Sequence, residues 1–202
     1  MTNPANPNAA AEPVLEWAGY EIVVAVCGGI AAYKVATVVS GLVQQGAGVT
    51  VVMTSAAQRF VTPLTFESLT ARQVFTGLWD ESEKHDPQHL TLTEAADLFI
   101  VAPATANMIG KIAHGLADDL VSTMVMSAAC PVLLAPAMNT RMWNNPIVEE
   151  NLGSLKRLGY LEVPPEEGWL ACRTVGAGRM AEPETILESA RVVLDTPPKK
   201  GR

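Results

Sequence analysis

Charge is scarce in this chain: Asp, Glu, Lys and Arg make up 17% of its 202 residues, against roughly a quarter in an average soluble domain. So little charge leaves apolar surface to be covered, and a second copy of the chain is the simplest cover. Positive charge is scarcer still. Lys and Arg number 14 against 21 acidic residues, net charge is -7, and the one basic block is the closing "KKGR", which excludes a phosphate-binding groove for nucleic acid. Only three cysteines occur, Cys27, Cys130 and Cys172, and none forms a CxxC pair. That argues against a disulfide framework or a thiolate metal site and fits a cytoplasmic protein. No run of 18 apolar residues exists, because "ADLFIVAPATANMIG" is broken by Asp97, Pro103, Thr105 and Asn107, so no membrane helix is expected. The start, "MTNPANPNAAAEP", lacks the basic and apolar regions of a signal peptide. Residues 1–18 are expected to be a disordered lead-in, 19–195 one domain and 196–202 a tail or linker.

What is present is apolar residues, 49% of the chain, enough for a domain that buries roughly 70% of its unfolded surface. "EIVVAV" (21–26) reads as a strand buried on both faces and ends at Gly28-Gly29. In the following "IAAYKVATVVSGLVQQG", Val35, Val38, Val39, Leu42 and Val43 recur at helical spacing, with Gly46 as the stop. Further strands are read at "GVTVVM" (48–53), "DLFIVA" (97–102), "PVLLA" (131–135) and, weakly, "LEV" (161–163), with helical patterns between. Strands alternating with helices imply parallel pairing through right-handed crossovers, hence a doubly wound α/β sheet in three layers.

In such sheets ligands sit beyond the carboxyl ends of the strands, so the segments after the strands carry the functional question. "CGGIAAYK" offers a glycine turn and a helix N-terminus suited to a phosphate, a pattern also common in loops that bind nothing. Thr54 and Ser55 either cap the next helix or bond a ligand. Pro103 is read as ending the third strand, with Thr105 as a helix cap and Asn107 unexplained by capping. "LLAPAMNTRMWNNP" (133–146) leaves a strand for amides, methionines and Trp143. Pro136 stops that strand, Asn144 and Asn145 cap a helix begun by Pro146, and Met142 with Trp143 form an apolar wall. His89 falls in the helix feeding the third strand, His85 in a charged loop and His114 near a helix end. Cys172 lies in a glycine-rich segment that reads either as a lid able to order over a ligand or as a plain surface loop with a buried small thiol.

Taken together, "GGIAAYK", His89, "PATAN" (103–107), "PAMNTRMW" (136–143) and "AC...GAGRM" around Cys172 resemble the homo-oligomeric flavin-containing cysteine decarboxylases. The likeness is strongest to the branch acting on 4'-phosphopantothenoylcysteine in coenzyme A biosynthesis, and it spans about residues 21–194. It implies a flavodoxin-like fold binding FMN noncovalently, in trimers or dodecamers with the active site at a subunit contact. It further implies that Gly28, Gly29, Ile30, Thr54, Ser55, Thr105, Ala106, Asn107 and Met108 hold the phosphate and ribityl chain, with Ala137 meeting the flavin through its backbone. By the same resemblance His89 is the catalytic base, Asn139 binds the substrate carboxylate and Cys172 returns a proton.

One departure stands out: Arg173 follows the cysteine where the family commonly has glycine. Bifunctional members continue into a synthetase domain, so a stand-alone enzyme and one of two domains are both expected possibilities. Three rivals are a decarboxylase of peptide C-terminal cysteines, a flavin prenyltransferase and a regulatory flavoprotein. Cys172 counts against the first, since release of the ene-thiol needs no reduction. "PAMNTRMW" and Cys172 fit the second poorly, and joint retention of His89, Asn139 and Cys172 speaks against the third.

Overall fold

The computed structural model describes residues 15–78 and 88–196. Five parallel strands form one sheet: β1 (Glu21–Val26), β2 (Gly48–Met53), β3 (Leu98–Ala104), β4 (Val132–Pro136) and β5 (Leu161–Glu162). Their order, β2-β1-β3-β4-β5, is that of the flavodoxin-like class and puts the switch point between β1 and β3. β1 to β4 are almost wholly buried, mostly apolar runs because helices cover both faces, whereas the two-residue edge strand β5 is not. Ile22, Val24 and Val26 of β1 join one core with Val35, Val38 and Leu42 of α1 (Ala32–Gln44), Phe66 of α2 (Pro63–Thr70) and Ile186 of α8 (Pro183–Leu194). Val23 and Ala25 point the other way, toward α4 (Ala106–Ala113), α5 (Leu120–Ser127) and α7 (Pro146–Arg157). α3 (Gln88–Ala95) feeds β3, and a short α6 (Thr140–Trp143) follows β4.

Several expectations change here. β3 does not end at Pro103: it runs through a cis Ala102–Pro103 peptide to Ala104. Proline has no N–H for the ladder, so the pairing with β4 shifts register between Val101 and Ala104 and resumes at Ala104 opposite Pro136. The glycine-rich lid segment is not a loop but an antiparallel hairpin, β6 (Glu166–Trp169) with β7 (Val175–Arg179). Its alternating pattern was masked by the glycines. Trp17, inside the expected lead-in, is buried in the first core, and its backbone N–H donates to the Gln45 carbonyl at 2.8 Å. No helix among the described residues is long and apolar enough to cross a membrane.

Candidate active site

A cavity of about 1010 Å3 opens where the carboxyl ends of β1, β2, β3 and β4 meet the hairpin. The first wall is the turn after β1, where Gly28 packs against the loop after β2. A Cβ on Gly28 would collide with the Ala56 Cβ and lie 3.0 Å from the Ala56 carbonyl carbon. Glycine here is a matter of packing two cavity loops together rather than of backbone freedom. Gly29 and Ile30 complete the turn into α1, which has no side-chain cap. Of the α-helices that begin at the cavity, α4, α5 and α6 are capped by Thr105, Asp119 and Asn139, so α1 keeps the N-terminus most available to an anion.

Capping and pocket-lining coincide in the other loops. Thr54 Oγ1 accepts from the Ala57 N–H at 3.2 Å, which secures a single 3-10 turn over Ala57–Arg59, while Ser55 beside it is exposed on the cavity wall. Thr105 Oγ1 accepts from the Met108 N–H at 3.3 Å. Ala106, Asn107 and Met108 follow in the first turn of α4, and Asn107 is exposed toward the cavity.

The segment after β4 is fixed from both sides. Its Ala137 N–H donates to the Ala104 carbonyl at 3.0 Å, and the Met138 N–H donates to the Gly178 carbonyl at 2.9 Å. Thr140 Oγ1 donates to the Ala177 carbonyl at 2.9 Å, so β7 is stapled to the strand exit. Gly178 has φ +114, and a Cβ there would strike the Met138 carbonyl oxygen, which makes glycine obligatory at this contact. Asn139 Oδ1 accepts from the Met142 N–H at 2.9 Å. With the oxygen committed to the cap, the Nδ2 donors are the part of the amide left for a ligand. Met142 lines the cavity as expected, but Trp143 does not: it packs against the second core instead. Only Asn145 caps α7, through the Ile147 N–H at 2.9 Å; Asn144 ends α6.

At the hairpin tip Cys172 is exposed and lines the cavity. Arg173 has φ +64, the left-handed region that favours glycine. Twelve expected site residues therefore share this one cavity: Gly28, Gly29, Ile30, Thr54, Ser55, Thr105, Ala106, Asn107, Met108, Ala137, Asn139 and Cys172. His89 is the second residue of α3, and its side chain lies outside the described part of the molecule, as does His85. His114 caps the end of α4.

The cavity's cations were not singled out in the sequence. Lys34 Nζ meets Glu182 at 2.9 Å, and Arg179 bonds Glu182 and, at 3.4 Å, Glu166. The Lys34 hydrogen bond outweighs burial and, with Arg179, holds the Glu182 carboxyl below its usual range. Lys111 lies 2.6 Å from both Asp118 and Asp119. Burial alone would lower the Lys111 ammonium, but the two carboxylates outweigh it and raise it. Burial likewise pushes Asp119 up, and its bonds from Lys111 and the Ser122 N–H bring it below the ordinary range. Only the Asp before the apolar run "LVSTMVM" carried a signal, that of a helix cap. Cys27, also on the cavity wall, is fully buried; burial first and Asp119 second push its thiol up to about 12. Among the described residues no cluster of His, Cys, Asp and Glu is placed to hold a metal ion.

These residues fit a flavin mononucleotide on their chemistry. The uncapped α1 N-terminus suits its phosphate, the hydroxyls and amides of Thr54, Ser55 and Asn107 suit a polyol, and Ala137, Met138 and Met142 suit a flat apolar ring. The volume lies at the upper end of the roughly 300–1,000 Å3 of small-ligand sites, room for a cofactor and a second molecule.

Comparison with known proteins gives the same direction. A family model described as Flavoprotein matches residues 12–194. The chain is 41% identical over 170 residues to the probable phosphopantothenoylcysteine decarboxylase of Streptococcus mutans, covering 83% of this chain and 95% of that protein. It is 47% identical over 169 residues to the coenzyme A biosynthesis bifunctional protein CoaBC of Bacillus subtilis, 84% of this chain but only 42% of that protein's length. Among solved structures, a PPC decarboxylase variant complexed with pantothenoylaminoethenethiol superposes with TM-score 0.79 at 34% identity, covering 88% of this chain and 99% of the other.

Proposed function

This chain belongs to the flavoprotein family, and on that premise we propose that it is an FMN-dependent decarboxylase of 4'-phosphopantothenoylcysteine, forming 4'-phosphopantetheine in coenzyme A biosynthesis. The observation that carries this reading is the meeting of Asn139 and Cys172, from segments far apart in sequence, on the cavity framed by the glycine turn and the Thr105–Met108 run. The Streptococcus mutans relative, nearly all of whose length the chain matches, supports it.

A simple α-carboxylate does not lose CO2 readily, because the electron pair left on carbon has no acceptor. Bound FMN supplies a two-electron oxidation of the cysteine CH2–SH to a thioaldehyde and the later re-reduction. With C=S β to the carboxylate, the C–C bond breaks and its electron pair moves to sulfur as an ene-thiolate. His89 takes the proton released in the oxidation, a task suited to a group that titrates near neutrality. Asn139 orients the carboxylate through its Nδ2 donors, since Oδ1 is held by the Met142 N–H. A neutral amide does not stabilise the ground-state carboxylate as a fixed cation would, so it does not oppose loss of neutral CO2. Cys172 delivers the proton that completes reduction of the ene-thiol. That final role counts against a peptidyl-cysteine decarboxylase, which stops at the ene-thiol.

The same reading includes cytoplasmic location and assembly into homotrimers or dodecamers with the site at a subunit contact. Exposed Leu64, Ile147 and Val175 supply apolar surface for such an assembly. Incubating the flavin-loaded protein with 4'-phosphopantothenoylcysteine and weighing the products tests the reading. A product lighter by CO2 and fully reduced is expected; unchanged substrate would overturn it.

A further inference from the structure

Residues two apart on an extended strand share a face but stand roughly 6–7 Å apart. At the hairpin tip this gap is closed. The Leu170 N–H donates to the Thr174 carbonyl and the Arg173 N–H to the Leu170 carbonyl, each at 2.8 Å. Ala171, Cys172 and Arg173 thus form a three-residue hairpin loop whose last member is left-handed. The turn folds Thr174 back toward Cys172, and Thr174 Oγ1 comes within 3.1 Å of Cys172 Sγ.

We propose that Thr174 is a positioning residue for Cys172, whose hydroxyl donates to the sulfur and leaves the thiol proton free for the cavity. A hydroxyl has one donor and two acceptor sites, whereas a thiol is a weak donor and weak acceptor. When the S–H bond breaks and the new C–H bond forms, the electron pair stays on sulfur as thiolate. The Thr174 hydroxyl is then a charge-assisted donor, stronger than it was to the thiol, so the contact tightens as the proton leaves. The hydride equivalent for the same step comes from the reduced flavin of the proposed cycle. In this respect the product readout rests on the functional reading above, while the thiol readout does not.

Two variants separate the hydroxyl from the shape: Thr174→Val keeps the branched side chain without the hydroxyl, and Thr174→Ser keeps the hydroxyl without the methyl. The whole protein, flavin bound, is treated with iodoacetamide at about pH 8, and alkylation at Cys172 is followed by peptide mass. Cys27 and Cys130 do not compete, because burial pushes their thiols up to about 12 and about 11. In parallel the ratio of ene-thiol to reduced product is measured with 4'-phosphopantothenoylcysteine. Thr174→Val is expected to slow alkylation about fivefold and raise the ratio by a similar factor, the size of one net hydrogen bond, with Thr174→Ser close to the parent in both. Val behaving as the parent, or Ser behaving as Val, would overturn the proposal, as would slowed alkylation with an unchanged ratio. If the parent releases no CO2 the functional reading falls, and alkylation alone then decides whether Thr174 acts on the thiol.

Discussion

Gly28→Ala tests how the cavity is built, because this is where two of its loops press closest. The added Cβ would overlap the Ala56 Cβ and sit 3.0 and 3.2 Å from the Ala56 carbonyl carbon and Cα, where carbon contacts are normally about 3.5–4.0 Å. Ala56 cannot simply retreat, since the following turn is tied down by the Ala57 N–H bonding both the carbonyl and Oγ1 of Thr54. Gly28 is not at positive φ, so the perturbation is steric and not conformational. Overpacking of this kind costs about 1–3 kcal/mol, and if the loops part by the required amount, flavin affinity falls by about 5- to 150-fold. Fluorescence titration of FMN measures the affinity, and thermal melting of the flavin-free protein measures the strain independently. Ala56→Gly removes the worst contact and leaves the two backbone ones, so in the Gly28→Ala background it should recover part of the loss, with a coupling of about 1 kcal/mol or more. Gly28→Ala that melts and binds like the parent, or no recovery in the double variant, would refute the packing argument.

Two other expectations follow from the site. His89→Asn should retain FMN absorbance and lose decarboxylation; full turnover in that variant would remove His89 from its role. The depressed Asp119 carboxyl contributes stability that is present above its unfolded value near 3.8 and is lost as pH falls through the lower folded value. Asp119→Asn keeps an oxygen for the Ser122 N–H but has no charge to titrate, so its urea midpoint should fall less steeply below about pH 4; an unchanged slope would count against the Lys111–Asp119 pair.

Strand and helix order was legible because β1 to β4 are buried, mostly apolar runs and α1 repeats its valines at helical spacing, while the short edge strand β5 left only a weak signal. The hairpin was not, because Gly168, Gly176 and Gly178 give no alternating pattern; Gly168 faces Arg179 on the opposite strand, and Gly176 and Gly178 face Thr140 and Met138 from the segment after β4. Pro103 misled for a similar reason: its effect on β3 depends on how β4 shifts register beside it. Arg173 was visible as a departure from the family's glycine. Its meaning came with the left-handed backbone at that position.

Sequence by itself determined the class of fold, the loops that face the ligand end of the sheet and the chemical types they present. These depend on local periodicity and on side-chain chemistry, both written along the chain. Only the tertiary structure decided that Asn139 and Cys172 meet on one cavity, that Trp143 packs against the core and that Lys34 and Arg179 are neutralised at the cavity by Glu182 and Glu166. Those outcomes rest on pairings between segments up to 148 residues apart, and the energy of such a pairing depends on a distance that no local pattern encodes.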